Sequence, residues 1–181
     1  MKRVLRPEPP EPVKLLAAVF WKDPKALADA LGCVQNLWGA IDFVGPDRPF
    51  DLTDYYEAEM GTNLQKRIVS FAPLFAPERL VEAKLAAIEI ENTLRGPSGR
   101  AVNVDVGYMD VHKVVLASIK YGGPKIHLGS GVYADLVCRY TQGRFQPFEW
   151  TFADFKAGLY DEELVEIRAS YKAALRRDGG S

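Results

Sequence analysis

Residues 100–140, RAVNVDVGYMDVHKVVLASIKYGGPKIHLGSGVYADLVCRY, decide the fold, because apolar residues alternate in them with polar and charged ones. Successive side chains of a strand leave on opposite faces, so Val102, Val104 and Val106 point one way while Asn103 and Asp105 point the other. The polar side of this region gathers Asn103, Asp105, Ser118, Lys120, Tyr133, Asp135 and Arg139. YGGP at 121–124 and LGSG at 128–131 supply turns, so the alternation predicts antiparallel strands over 100–106, 112–120, 125–128 and 131–140.

Upstream, VKLLAAVFW (13–21) is a nearly continuous apolar run too short for a confident helix, which suits a central strand covered on both faces. Asp23 is placed to cap the next element and Pro24 to open it. Leu27, Leu31, Val34 and Trp38 then recur at helical spacing up to Gly39. Residues 40–44 read as a second strand, and GPDRPFDLTDYYEAEMGT (45–62) as a long surface loop. NLQKRIVSF (63–71) is the next strand. Pro77 then opens a helix carrying Leu80, Lys84, Leu85, Ile88 and Leu94, which GPSG (96–99) stops. Lys84 and Glu91, a heptad apart, share a face of it and are expected to be solvated.

The order β-α-β-β-α-β is ferredoxin-like. The expected fold is therefore α+β: a ferredoxin-like N-terminal half, extended by antiparallel hairpins into one larger sheet, with helices on one face and a C-terminal helix over 161–176. Residues 1–12, rich in proline, read as a flexible tail, and 13–177 as a single domain.

The composition, 48% hydrophobic and 26% charged, is that of an ordinary globular chain, and no apolar run is long enough to cross a bilayer. The opening MKRVLRPEPPEPVK has no apolar stretch behind its basic residues, so it fails as a secretory signal, and a cytoplasmic location is the expectation. The formal net charge of −1 supplies no field for nucleic acid. Cys33 and Cys138 are too isolated for a disulfide scaffold and read as reduced thiols.

No phosphate loop, no G-x-G-x-x-G after the first strand and no G-x-S-x-G elbow occurs. The two histidines, His112 and His127, lie on different predicted strands without a second ligand nearby, so no metal site is expected. The tyrosine-bearing loop, with Tyr55 and Tyr56, is suited to close over a ligand beside Arg67. With Asn103, Lys113, Lys120 and Tyr133 these residues form the expected site for a small anionic ligand, phosphorylated or nucleotide-like. For a hydrolase or phosphotransfer enzyme the corresponding group is Asp105 with Lys120, as base and electrostatic stabiliser, aided by Glu59 and a carboxylate-held magnesium. A third possibility is a partner-binding module using a sheet edge. The aromatic stretch FQPFEWTFADFKAGLY (145–160) carries few interleaved cations and reads as a core cap.

The blocks DYYEAEMG, LQKRIVSF, VNVDVGY, KVVLASIK, GVYADLVCRY and EWTFADF, in this order, resemble the bacterial family of domain of unknown function 4416, over roughly residues 12–175. The resemblance implies positions without assigned roles, among them Tyr55, Tyr56, Glu59, Arg67, Asn103, Asp105, Lys113, Lys120 and Tyr133. Members are sometimes labelled GTP-binding, but this chain has neither a phosphate loop nor an N-K-x-D guanine reader. It departs from the family pattern at Val106, where proline is common, and at Ala72, where an acidic residue often follows Ser-Phe.

Overall fold

A computed structural model describes residues 6–51, 57–97 and 99–178. The elements run β1 (Val13–Trp21), α1 (Pro24–Trp38), β2 (Ile41–Val44), β3 (Arg48–Phe50), α2 (Glu57–Met60), β4 (Leu64–Phe75) and α3 (Leu80–Thr93). They continue with β5 (Val102–Met109), β6 (Lys113–Ser118), β7 (Ile126–Gly129), β8 (Val132–Thr141), β9 (Arg144–Pro147), α4 (Ala153–Lys156) and α5 (Asp161–Asp178). All nine strands described join one antiparallel sheet in the order β2-β4-β1-β5-β6-β8-β7; β3 also pairs β4 and β9 pairs β8. The run β2-β4-β1-β5 is the ferredoxin-like half, and β6 to β9 extend it, as the alternation of residues 100–140 implies.

The central position of β1 follows from its sequence, since every residue of it is buried. Val13, Leu15 and Ala17 face the core under α1 and α3, and Val19 and Trp21 a neighbouring cluster under α1, while Leu16, Ala18 and Phe20 face a core on the other side. α1 starts where expected: Asp23 accepts the N–H of Lys25 at 3.0 Å, Pro24 follows, and Gly39 at φ 92° ends it. α1 and α3 share one face, and the C-terminal helix α5 takes the opposite one, burying Leu164 and Ile167 against Leu16, Ala18, Phe20 and Ile68. The aromatic stretch does cap this second core, through Phe145, Phe155 and Tyr160.

Three local expectations change. The segment 45–62 contains a short strand and a helical turn, because Phe50 packs edge-on against Phe20 (4.8 Å) and Met60 enters the second core. The inner face of α3 is Leu80, Ala83, Lys84, Ala87, Ile90 and Glu91, and Leu85 is exposed. Its alanines let the helix lie close to the sheet. Lys84 and Glu91, expected in solvent, are buried.

Candidate functional site

β5 joins β6 only through Gly107, Tyr108 and Met109, paired with Leu116, Val115 and Val114. Over 102–106 the outer edge of β5 has no pairing with β6, and α3 closes it with side chains. Glu91 Oε1 accepts the N–H of Val104 at 2.8 Å, and Lys84 Nζ donates to the Val104 carbonyl at 3.2 Å. A carboxylate and an ammonium thus stand in for the missing ladder bonds of a strand. Spacing by seven places both on one helix face, which lets them bracket one residue.

The same side chains build a polar site at the splay between β5 and β6. Cross-strand neighbours share a sheet face. Asn103 pairs Phe20 and Asp105 pairs Ala18, so both point to the α5 side of the sheet. Lys84 reaches round the open edge to Asp105 at 3.4 Å. Arg100 donates to Glu91 at 3.0 Å and to Asn103 Oδ1 at 2.7 Å, and it forms an ion pair with Glu59. Asn103 is 4% exposed, and its Nδ2 has no hydrogen-bond partner among the described residues. Burial pushes the Glu91 carboxyl above its ordinary range against the pull of Lys84, the Val104 N–H and Arg100.

Across the splay lies a second polar group on the same face. Leu116 belongs to the α5-side core, so Ser118, two residues on, and its partner Tyr133 face that side, as does Asp135, which pairs Leu116. Lys125 Nζ lies 3.0 Å from Ser118 Oγ and 3.3 Å from Asp135 Oδ2. The Ser118 hydroxyl also accepts the backbone N–H of Lys120 at 3.1 Å. Burial, and then the nearby charge of Lys125, lowers the Lys120 ammonium below its ordinary value. Asp135 Oδ1 is buried without a hydrogen-bond partner among the described residues, and the Tyr133 ring stands 5.1 Å from His127 and 6.0 Å from Tyr121.

The expected residues are therefore distributed. Asn103, Asp105 and Glu59 come together. Tyr133 and Lys120 belong to the group across the splay. Asp105 has Lys84, from α3, as its ion-pair partner where Lys120 was expected. Arg67 is not brought to this face: it pairs Val19, which points toward α1, and it binds Asp47 in a bidentate ion pair at 2.7 and 2.9 Å. Lys113 lies at the far end of β6, in an ion pair with Asp110. Tyr55 and Tyr56 fall outside the described residues. No cluster of three or more His, Cys, Asp or Glu residues suited to a metal occurs among the described residues. Both cysteines are free, and burial pushes the Cys138 thiol up to about 12.

Two buried lysines escaped sequence reasoning. Lys66, 3% exposed, pairs with Asp154 and sits 4.9 Å from the Phe20 and Phe155 ring centres and 4.7 Å from that of Tyr160. Burial lowers its ammonium below the ordinary value, opposed by Asp154. Lys14 is fully buried against Asp42, which also accepts from Ser70 at 2.7 Å and Ser170 at 3.3 Å. The available signal was positional: each lysine occupies an inward slot of a strand whose same-face neighbours are apolar or small.

No helix among the described residues is long and apolar enough to cross a membrane. Neither the curated proteins nor the solved structures contain a match to the chain. The family model described as domain of unknown function DUF4416 matches residues 11–171, a span that takes in both sides of the splay and the helix that closes it, and the chain belongs to that family.

Proposed function

We propose that the polar face at the β5–β6 splay binds a small anionic ligand, phosphorylated or nucleotide-like, and that the protein is a cytoplasmic binding protein for it. The observation that carries this reading is the Lys125 ammonium, 3.0 Å from the Ser118 hydroxyl that also accepts the backbone N–H of Lys120. An anion that accepts from this ammonium gains a charge-assisted hydrogen bond. Across the splay, the buried amide nitrogen of Asn103 is a donor with no partner among the described residues, and an anionic oxygen would satisfy it. Asp135 Oδ1, a buried acceptor likewise without a partner among them, suits a ligand that also carries a hydroxyl or N–H. Sugar phosphates and nucleotides have both features.

A thermal-shift screen of the purified protein against nucleotides, sugar phosphates, inorganic phosphate and simple carboxylates, with and without magnesium, tests the reading. A ligand at a hundred times its Kd adds about 2.7 kcal/mol, a rise in Tm of roughly 5 °C for a chain of this length. The expected result is a rise with a phosphorylated ligand that Lys125→Ala removes. A rise that survives both Lys125→Ala and Asn103→Ala places the ligand elsewhere and defeats the reading.

A further inference from the structure

At the other end of the sheet, Lys113 lines a cleft of about 300 Å³. Its walls come from the N-terminal arm (Pro10 and Glu11), from Pro77 ahead of α3, from Tyr108 near the end of β5 and from Tyr171 of α5. The arm is held across it by the Tyr171 hydroxyl, which donates to the Pro12 carbonyl at 2.8 Å. Ser118 is five positions along β6 from Lys113, about 16 Å of strand, so this cleft is distinct from the polar face. A volume of this size is at the small end of ligand pockets.

The cleft carries charges of both signs, Glu11 and Asp110 against Lys113. Asp110 is already satisfied: its carboxylate accepts the backbone N–H groups of His112 at 2.7 Å and Lys113 at 2.8 Å, and the Lys113 ammonium. An ammonium carries three N–H donors, so Lys113 retains capacity toward the cleft. Tyr108 beside it is half-buried, and burial keeps its phenol protonated as an O–H donor. The arm brings the opposite sign, since Glu11 lies close enough to Tyr171 to raise its phenol further after burial has done so. Val13 and Pro77 add apolar surface to the lining.

We propose that this cleft is a second binding site, for a small zwitterion of the amino-acid class. The ligand's ammonium meets Glu11, its carboxylate meets Lys113 and the Tyr108 hydroxyl, and its hydrocarbon lies on Val13 and Pro77. A simple acid leaves Glu11 unanswered and a simple amine leaves Lys113 unanswered, so each forfeits one charge-assisted contact.

The test is ligand-detected saturation-transfer NMR on the full chain with the twenty standard amino acids. Titration of each binder follows, beside its deaminated acid and its decarboxylated amine (for leucine, 4-methylpentanoate and isopentylamine). The expected result is at least one amino acid that binds about tenfold or more tighter than both analogues. Glu11→Gln, on the exposed arm, should cancel the advantage over the acid, and Tyr108→Phe should narrow the advantage over the amine. Absence of binding by all twenty overturns the proposal. Equal binding of the acid, or an advantage unchanged in Glu11→Gln, also overturns it.

Discussion

Gly107 fixes how closely β5 and β6 meet before they part. A Cβ at this position would lie 2.2 Å from the Val115 carbonyl oxygen and 2.6 Å from Leu116 Cδ2, contacts that the backbone cannot yield cheaply. Gly107→Ala is therefore predicted to cost about 3 kcal/mol in urea unfolding, with an unchanged fold in far-UV circular dichroism. Asp42 holds a different position, as the partner of a lysine with no solvent access. Burial alone would raise its carboxyl, but the donors Lys14, Ser70 and Ser170 outweigh burial and hold it below the ordinary value. A depressed carboxyl contributes stability that is complete above its unfolded value of about 4 and is lost as pH falls through the folded value. Asp42→Asn deprives the buried Lys14 of its counter-ion, so at pH 7 it should be less stable by about 3 kcal/mol. Below pH of about 4 the two unfolding curves should converge, and a gap that persists undiminished would show that the carboxylate charge is not the source.

α3 acts on β5 as a substitute strand, at Val104 alone. Glu91→Ala removes the acceptor for a buried N–H and one partner of Arg100, a loss of about 2 kcal/mol, whereas Glu91→Gln keeps an oxygen for Val104 and should cost less. Hydrogen exchange separates the two variants, because the Val104 amide should lose protection in Glu91→Ala beyond that of its neighbours in β5. Equal exchange at Val104 in both variants would contradict the role given to Glu91. The strand itself was legible in the sequence, since period-two alternation survives wherever one face is buried. So were Asp23, Pro24 and Gly39 as helix punctuation. The inward turn of Lys84 and Glu91 was not legible. A charged residue on a helix that covers a sheet is ordinarily solvated, and only the departure of β6 from β5 leaves backbone groups for these two to satisfy. Leu85 was misplaced for the same reason: the inner stripe of α3 is set by what the β5 edge needs, and alanine fills the rest of it.

On the scale of the whole molecule, one sheet carries a core on each face, α1 and α3 over one and α4 and α5 over the other. The α5 side also carries the polar group, with Asn103, Asp105, Ser118, Tyr133 and Asp135 on that face of the sheet. The polar face was readable from residues 100–140, because its members alternate with valine, leucine and alanine. Its counter-charges were not, because Arg100, Lys84 and Glu91 reach it from a loop and from a helix based on the opposite face. Arg67 and Lys113 illustrate the converse: both are cations on strands, but register sends one to the α1 side and the other to the far end of the sheet. The most direct test of the anion site is a ¹⁵N–¹H NMR titration of the full chain with the phosphorylated ligand that gives the largest thermal shift. Amide shifts confined to 102–106, 117–121, 125 and 133–136, and abolished in Lys125→Ala, are the predicted result; shifts that leave these residues unmoved would contradict the site.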